Sequence, residues 1–232
     1  MIQSTKPFIK TGYLGLAVIV MSVLLLFVFP PKAPSLPEGF LTPIIAFEFI
    51  KTKSEVIRMF GGENIMVRNE MAHAMDMGNR WDYAYMCLYS AFLLMFSVTC
   101  AKLSGNKYYY AGAALALAVL AADGLENIQL LGITANISTG NFDSQLRLLH
   151  VFTWIKWGGI ALIFLTLSPW FFKGGHFSKI IGLTGMIISI LGVSAYMNHS
   201  VINEIFSLSV AMMFILVIIY CFTYKDHPPA RE

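Results

Sequence analysis

Five long apolar runs and one shorter run dominate this chain, each near the roughly 20 residues that a helix needs to cross about 30 Å of hydrocarbon. The runs cover residues 12–29, 81–101, 109–131, 149–170, 180–197 and 205–224. A backbone in hydrocarbon must satisfy its own hydrogen bonds, so each run predicts a helix and the fold class is all-α: a polytopic integral membrane helix bundle of about six spans. Pro30 and Pro31 close the first run, because their missing amide donors and fixed φ stop a helix. That run has the basic lead of a signal peptide (Lys6, Lys10), but its apolar core is too long and Pro31-Lys32-Ala33 is a poor cleavage site, which predicts a retained anchor.

Composition agrees with this pattern. Of 232 residues 57% are hydrophobic and 12% are charged, about half the roughly 25% charged share of a soluble domain, so an ordinary soluble enzyme is excluded. The expected unit is a single transmembrane domain over 1–232, with the lipid bilayer as its first partner and no nucleic acid partner. Lys6, Lys10, Lys102, Lys107, Lys173, Lys179, Lys225 and Arg231 flank one set of span ends. The other set has only Arg147 in a short connection. The positive-inside rule then predicts a bacterial inner-membrane protein with both termini in the cytoplasm.

The 31–80 connection is predicted to be extracytoplasmic and to contain an amphipathic helix. Thr42-Pro43 supplies a start and Gly61-Gly62 a stop, while Ile44, Phe47, Ile50, Ile57 and Phe60 recur against Glu48, Lys51, Glu55 and Arg58. Such a helix lies on the outer leaflet or packs over the mouth of the bundle. A further helix is expected from Asn64 into the second span. Its length of roughly 57 Å exceeds the membrane and implies a protruding end or a bend near Gly78.

Ionisable groups inside spans cost about 2.5 to 3.5 kcal/mol each at the helix centre, so their placement carries information. Asp76, Asn79 and Asp82 recur three apart before the second span, with Tyr85 and Tyr89 continuing the stripe inward. Asp123, Glu126 and Asn127 share an arc near the end of the third span. Lys156 sits inside the fourth between Trp154 and Trp157, and His199 and Glu204 lie at the junction of the fifth and sixth. All fall at one predicted membrane depth. The five acids Asp76, Asp82, Asp123, Glu126 and Glu204 outnumber the bases Arg80, Arg147 and Lys156 by two, an excess to be relieved by protonation, a bound cation or metal, or water.

Other motifs are weaker. Lys156 reads as a structural partner for Asp123 or Glu126, or as a low-pKa amine or substrate counter-ion. Glu70 and His73 form one Glu-x-x-His where a di-iron bundle needs two. A divalent metal would draw on His73, His150 and His199 with the carboxylates, at spacings that diagnose nothing. Cys87, Cys100 and Cys221 read as small core residues, and Gly158, Gly159, Gly182, Gly185 and Gly192 as close-approach positions between helices. Tyr108 to Tyr110, Trp170, Phe171 and Phe172 fit an interfacial aromatic belt.

Four functions remain open on these residues. The first is an outward-facing, acid-rich pocket binding a small amphiphile, lipid headgroup or cation through Asp76, Asn79, Asp82, Tyr85, Asp123, Glu126, Asn127, Lys156, His199 and Glu204. The second is a membrane-embedded lipid hydrolase or transferase that uses a metal or acid–base histidines. The third is a structural or assembly subunit with a membrane-protein partner, and the fourth a proton- or cation-coupled carrier.

Overall fold

The computed structural model describes residues 6–225, so Arg231, counted above for orientation, lies outside the described residues. Six helices are long and apolar enough to cross a membrane: α1 (Ile9–Val28), α4 (Ile65–Ser104), α5 (Tyr110–Ala135), α6 (Asp143–Phe172), α7 (His176–Met197) and α8 (Val201–Thr223). Two short helices, α2 (Pro43–Glu48) and α3 (Lys53–Met59), lie between the first and second spans. There is no strand among the described residues.

Each long helix packs on its neighbours in sequence, and α8 packs back on α1, so the six close into a ring. At the end that holds the start of α1 and the end of α8, aromatic side chains fill the axis. Phe8 stacks on Phe96 with centroids 4.7 Å apart, Phe96 on Phe171 at 5.6 Å, and Tyr220 meets Phe171 edge-on at 5.1 Å. Such pairs add roughly 0.5 to 1.5 kcal/mol each beyond their burial. Midway, Phe214 contacts Phe92 and Phe164. Tyr109, Trp170 and Phe171 therefore belong to this core, and only Tyr108, Tyr110 and Phe172 of the expected belt face outward.

Helix α4 is uninterrupted over 40 residues, about 60 Å at the α-helical rise, and the Asn64 side chain accepts a hydrogen bond from Val67 N at its start. Gly78 serves close approach: a Cβ there would lie 2.2 Å from the ring of Phe29, which packs on α4 just past α1. Gly185 does the same between α6 and α7, where a Cβ would sit 2.9 Å from the Phe164 carbonyl oxygen. Gly158 faces open space, and Cys87 is exposed, so neither is the core position expected for it.

The single amphipathic helix expected in the 31–80 connection is two helices. Thr52 interrupts it with a capping box: its hydroxyl accepts from Glu55 N at 3.3 Å, while the Glu55 carboxylate accepts from Thr52 N at 2.9 Å and Lys51 N at 3.1 Å. Gly61 and Gly62, both at positive φ, stop α3 as the sequence implied. Ala46, Phe47, Ile50, Val56, Met59 and Phe60 are fully buried, in one cluster with Met75 of α4, Ile133 of α5 and Leu149 of α6. The pair is thus a lid packed over the bundle mouth, which is the second of the two placements the sequence allowed.

Candidate functional site

Beneath the lid, three spans and α2 direct polar side chains to one point. The spacing of α6 sets Thr153, Lys156 and Trp157 on one face at i, i+3 and i+4. The Lys156 ammonium is 3.1 Å from Glu48 of α2 and 3.5 Å from Asp123 of α5, and it also contacts Glu126 directly. Asp123, Glu126 and Lys156 are at most 5% exposed. In this cage Tyr89 of α4 donates its hydroxyl to Asp123, and Trp157 Nε1 donates to Glu48 at 2.8 Å. Burial pushes the Glu48 carboxyl above its ordinary range against the opposing pull of Lys156.

Thr153 ties α6 to both neighbours: its hydroxyl lies 2.5 Å from Glu126 Oε1 and 3.0 Å from the Glu48 carbonyl oxygen, and shares its one hydrogen between these two acceptors. The cage thus gathers the three carboxyl groups of Glu48, Asp123 and Glu126 around one ammonium.

A turn above, Asn127 Nδ2 donates to Asp82 at 2.7 Å across the α4–α5 seam, and Asp82 is half-buried. Tyr85 extends the stripe, its ring 5.3 Å from that of Tyr89. Asn79, between Asp76 and Asp82 on α4, is fully buried, and neither its amide nitrogen nor its carbonyl oxygen has a hydrogen-bond partner. A buried amide in that state costs about 1 to 3 kcal/mol. Asp76 accepts from Thr134 at 2.6 Å, nearer the helix ends.

The remaining sequence candidates lie apart from the cage. Glu204 accepts from Leu41 N at 2.9 Å, Thr42 N at 2.8 Å and the Thr42 hydroxyl at 2.8 Å, and so binds the start of α2 to α8. The Thr42 hydroxyl is used there, not as a cap on its own helix. His199 Nε2 sits 3.5 Å from Glu55 and its ring packs on Phe40, a second tie between lid and bundle. His73 is exposed on α4, and His150 lies near Tyr196. Among the described residues no three His, Cys, Asp or Glu side chains group as metal ligands, and the Lys156 ammonium stands at the point where the carboxylates converge.

Glu48, Thr153 and the Trp157 indole were not recognised as members of the cage in the sequence. Glu48 reads there as part of a solvent-facing stripe, although its setting between Phe47 and Phe49 is the signal of an acid carried into an apolar layer. Thr153 has no signal beyond its place three residues before Lys156.

The two ties give the lid an acid-sensitive edge. Burial lowers the affinity of His199 for a proton. Burial works the other way on Glu55, but the amides of Lys51 and Thr52 and the Thr52 hydroxyl outweigh it and hold this carboxyl below its ordinary range. Each group binds more protons when released, so both contributions are full above the ordinary histidine range. The His199 part is lost first as pH falls through that range, and the Glu55 part as pH falls through its lowered value. Protection factors of the α3 amides, exchange rates corrected for the intrinsic slowing of exchange at lower pH, are therefore expected to fall on acidification, with the earlier step missing in His199→Gln. Glu48 has the opposite sign, so the readout is taken at α3 and not at α2.

No family model, no curated protein and no solved structure matches the chain.

Proposed function

We propose that this chain is a bacterial inner-membrane protein with cytoplasmic termini, whose acid-rich centre faces outward beneath the α2–α3 lid and binds a cationic group: a small amphiphile or lipid headgroup bearing positive charge, or a simple cation. The observation that carries the reading is the imbalance of the buried centre, where Glu48, Asp82, Asp123 and Glu126 face a single ammonium. A cation near Asp82 supplies the charge that is missing. The unpartnered Asn79 amide one turn away offers a donor and an acceptor to the same ligand. Half-buried Asp82 marks the way in along the α4–α5 seam. The basic residues at the end that holds the start of α1 and the end of α8 support the orientation. The aromatic filling of that end argues against a through-going path and so against a carrier.

Thermal unfolding of the detergent-solubilised protein with tetramethylammonium, ethanolamine or sodium tests the proposal. A bound probe at about 100 times its Kd adds roughly 2.7 kcal/mol of stability. That gain is expected in the wild type and absent in Asp82→Asn. In Asn79→Leu the ligand-free protein is expected to gain about 1 kcal/mol by losing an unsatisfied buried amide, while its response to the probe falls. If no cationic probe shifts the wild type, the binding reading is overturned.

A second reading, a structural or assembly subunit, is favoured by one specific fact: every carboxylate of the cage already has a partner within the protein. It predicts the same Asn79→Leu gain with no probe response in any variant.

A further inference from the structure

A separate cleft lies at the edge of the lid. It has a volume of about 400 Å³ and is lined by Lys51, Asp143, Leu146, Arg147 and His150. Asp143, Arg147 and His150 recur on one face of the first turns of α6, and Lys51 comes from the break between α2 and α3. The capping box fixes that break, because the Lys51 amide donates to Glu55 and leaves the Lys51 side chain at the cleft. Asp143, the one acid in the wall, is paired with Lys53 at 3.7 Å. Lys51 and Arg147 have no ion-pair partner among the described residues. The cleft therefore presents two unmatched cations and an imidazole.

Its surroundings are those of a lipid boundary. Leu148, Val151 and Ile155, on the adjoining face of α6, are 45–49% exposed, as lipid-facing residues are. Tyr196 of α7, mostly exposed, packs against both His150 and Trp154, so the aromatic level that marks a membrane interface adjoins the cleft. Basic side chains at that level meet headgroup phosphates, and a guanidinium grips two phosphate oxygens at once. The volume accommodates a phosphate with a small polar substituent.

We infer that this cleft is a binding site for a phosphate group, held by Arg147, Lys51 and His150 and independent of the acid-rich centre. The group arrives on an anionic phospholipid headgroup or as free phosphate. Two readouts on the whole protein separate these sources. Native mass spectrometry counts phosphatidylglycerol retained after extraction. Thermal unfolding compares phosphatidylglycerol in mixed micelles with inorganic phosphate, each against chloride at equal ionic strength. The loss of two charge-assisted contacts in the Arg147→Gln, Lys51→Gln double variant is expected to lower retention or apparent affinity about tenfold. Both positions are exposed, so the variant keeps the wild-type unfolding temperature in chloride. A response to phosphatidylglycerol alone assigns the site to a lipid headgroup, and a response to inorganic phosphate that the variant loses assigns it to a soluble phosphate. Equal retention by variant and wild type, with no shift from either probe, overturns the inference.

Discussion

Replacing Lys156 with methionine is expected to destabilise the bundle by about 3 to 5 kcal/mol, the range for removing one partner from a buried ion cluster. The size follows from what is left behind. Glu48, Asp123 and Glu126 converge on the ammonium, and without it they repel one another in a nearly dry interior. Methionine fills much the same space, so a cavity contributes little. Unfolding of the detergent-solubilised protein by a denaturing detergent is the measurement. Restoring balance should recover much of the loss: Lys156→Met with Glu48→Gln and Asp123→Asn is expected to be more stable than Lys156→Met alone. Glu126→Gln by itself should cost about 1 kcal/mol or less, because the amide oxygen still accepts from Lys156, the amide NH2 can donate to Thr153 while the Thr153 hydroxyl turns to the Glu48 carbonyl, and one charge of the acid excess is removed. If Glu126→Gln proves as damaging as Lys156→Met, an excess of negative charge is not what makes the ammonium costly to lose.

Glu204→Ala should release the lid without unfolding the spans. The Glu204 carboxylate accepts three hydrogen bonds from Leu41 and Thr42, and bonds to a charged acceptor contribute roughly 1.5 to 3 kcal/mol each when buried. Solvent reaches the Leu41 end, so about 2 kcal/mol in total is the expected loss. It should appear as faster hydrogen exchange over residues 40–60 and as tryptic cleavage after Lys51 or Lys53, with exchange in α5 and α6 unchanged. Unaltered cleavage would mean that the buried face of Phe47, Ile50 and Phe60 holds the lid unaided.

The spans were legible in the sequence because hydrocarbon imposes one requirement, a run of apolar residues, that no local competition overrides. Their ends were less so. Helix α6 begins six residues before the apolar run that revealed it, since Asp143 to Leu148 continue the helix outside hydrocarbon and leave no hydropathy signal. Asp123, Glu126 and Lys156 were legible as a group because a charge in an apolar span has few tolerable places. Glu48 was hidden by the capping box at Thr52, which starts a new helix and breaks the stripe from which its direction was read. Glu204 looked like a member of the acid-rich group, but its partners are mainly backbone amides some 160 residues away, and amides leave no mark on a sequence.

Ring closure has a consequence for biogenesis. A nascent chain that has delivered α6 to the bilayer already holds every contributor to the Lys156 cage, from Glu48 through Tyr89, Asp123 and Glu126. Glu204 and His199 emerge from the ribosome only afterwards, and α1 waits for α8 to cover its remaining flank. During synthesis the charged interior is therefore assembled before the mouth above it is fastened. A ribosome stalled after the sixth helix would display an assembled core under an untethered cover.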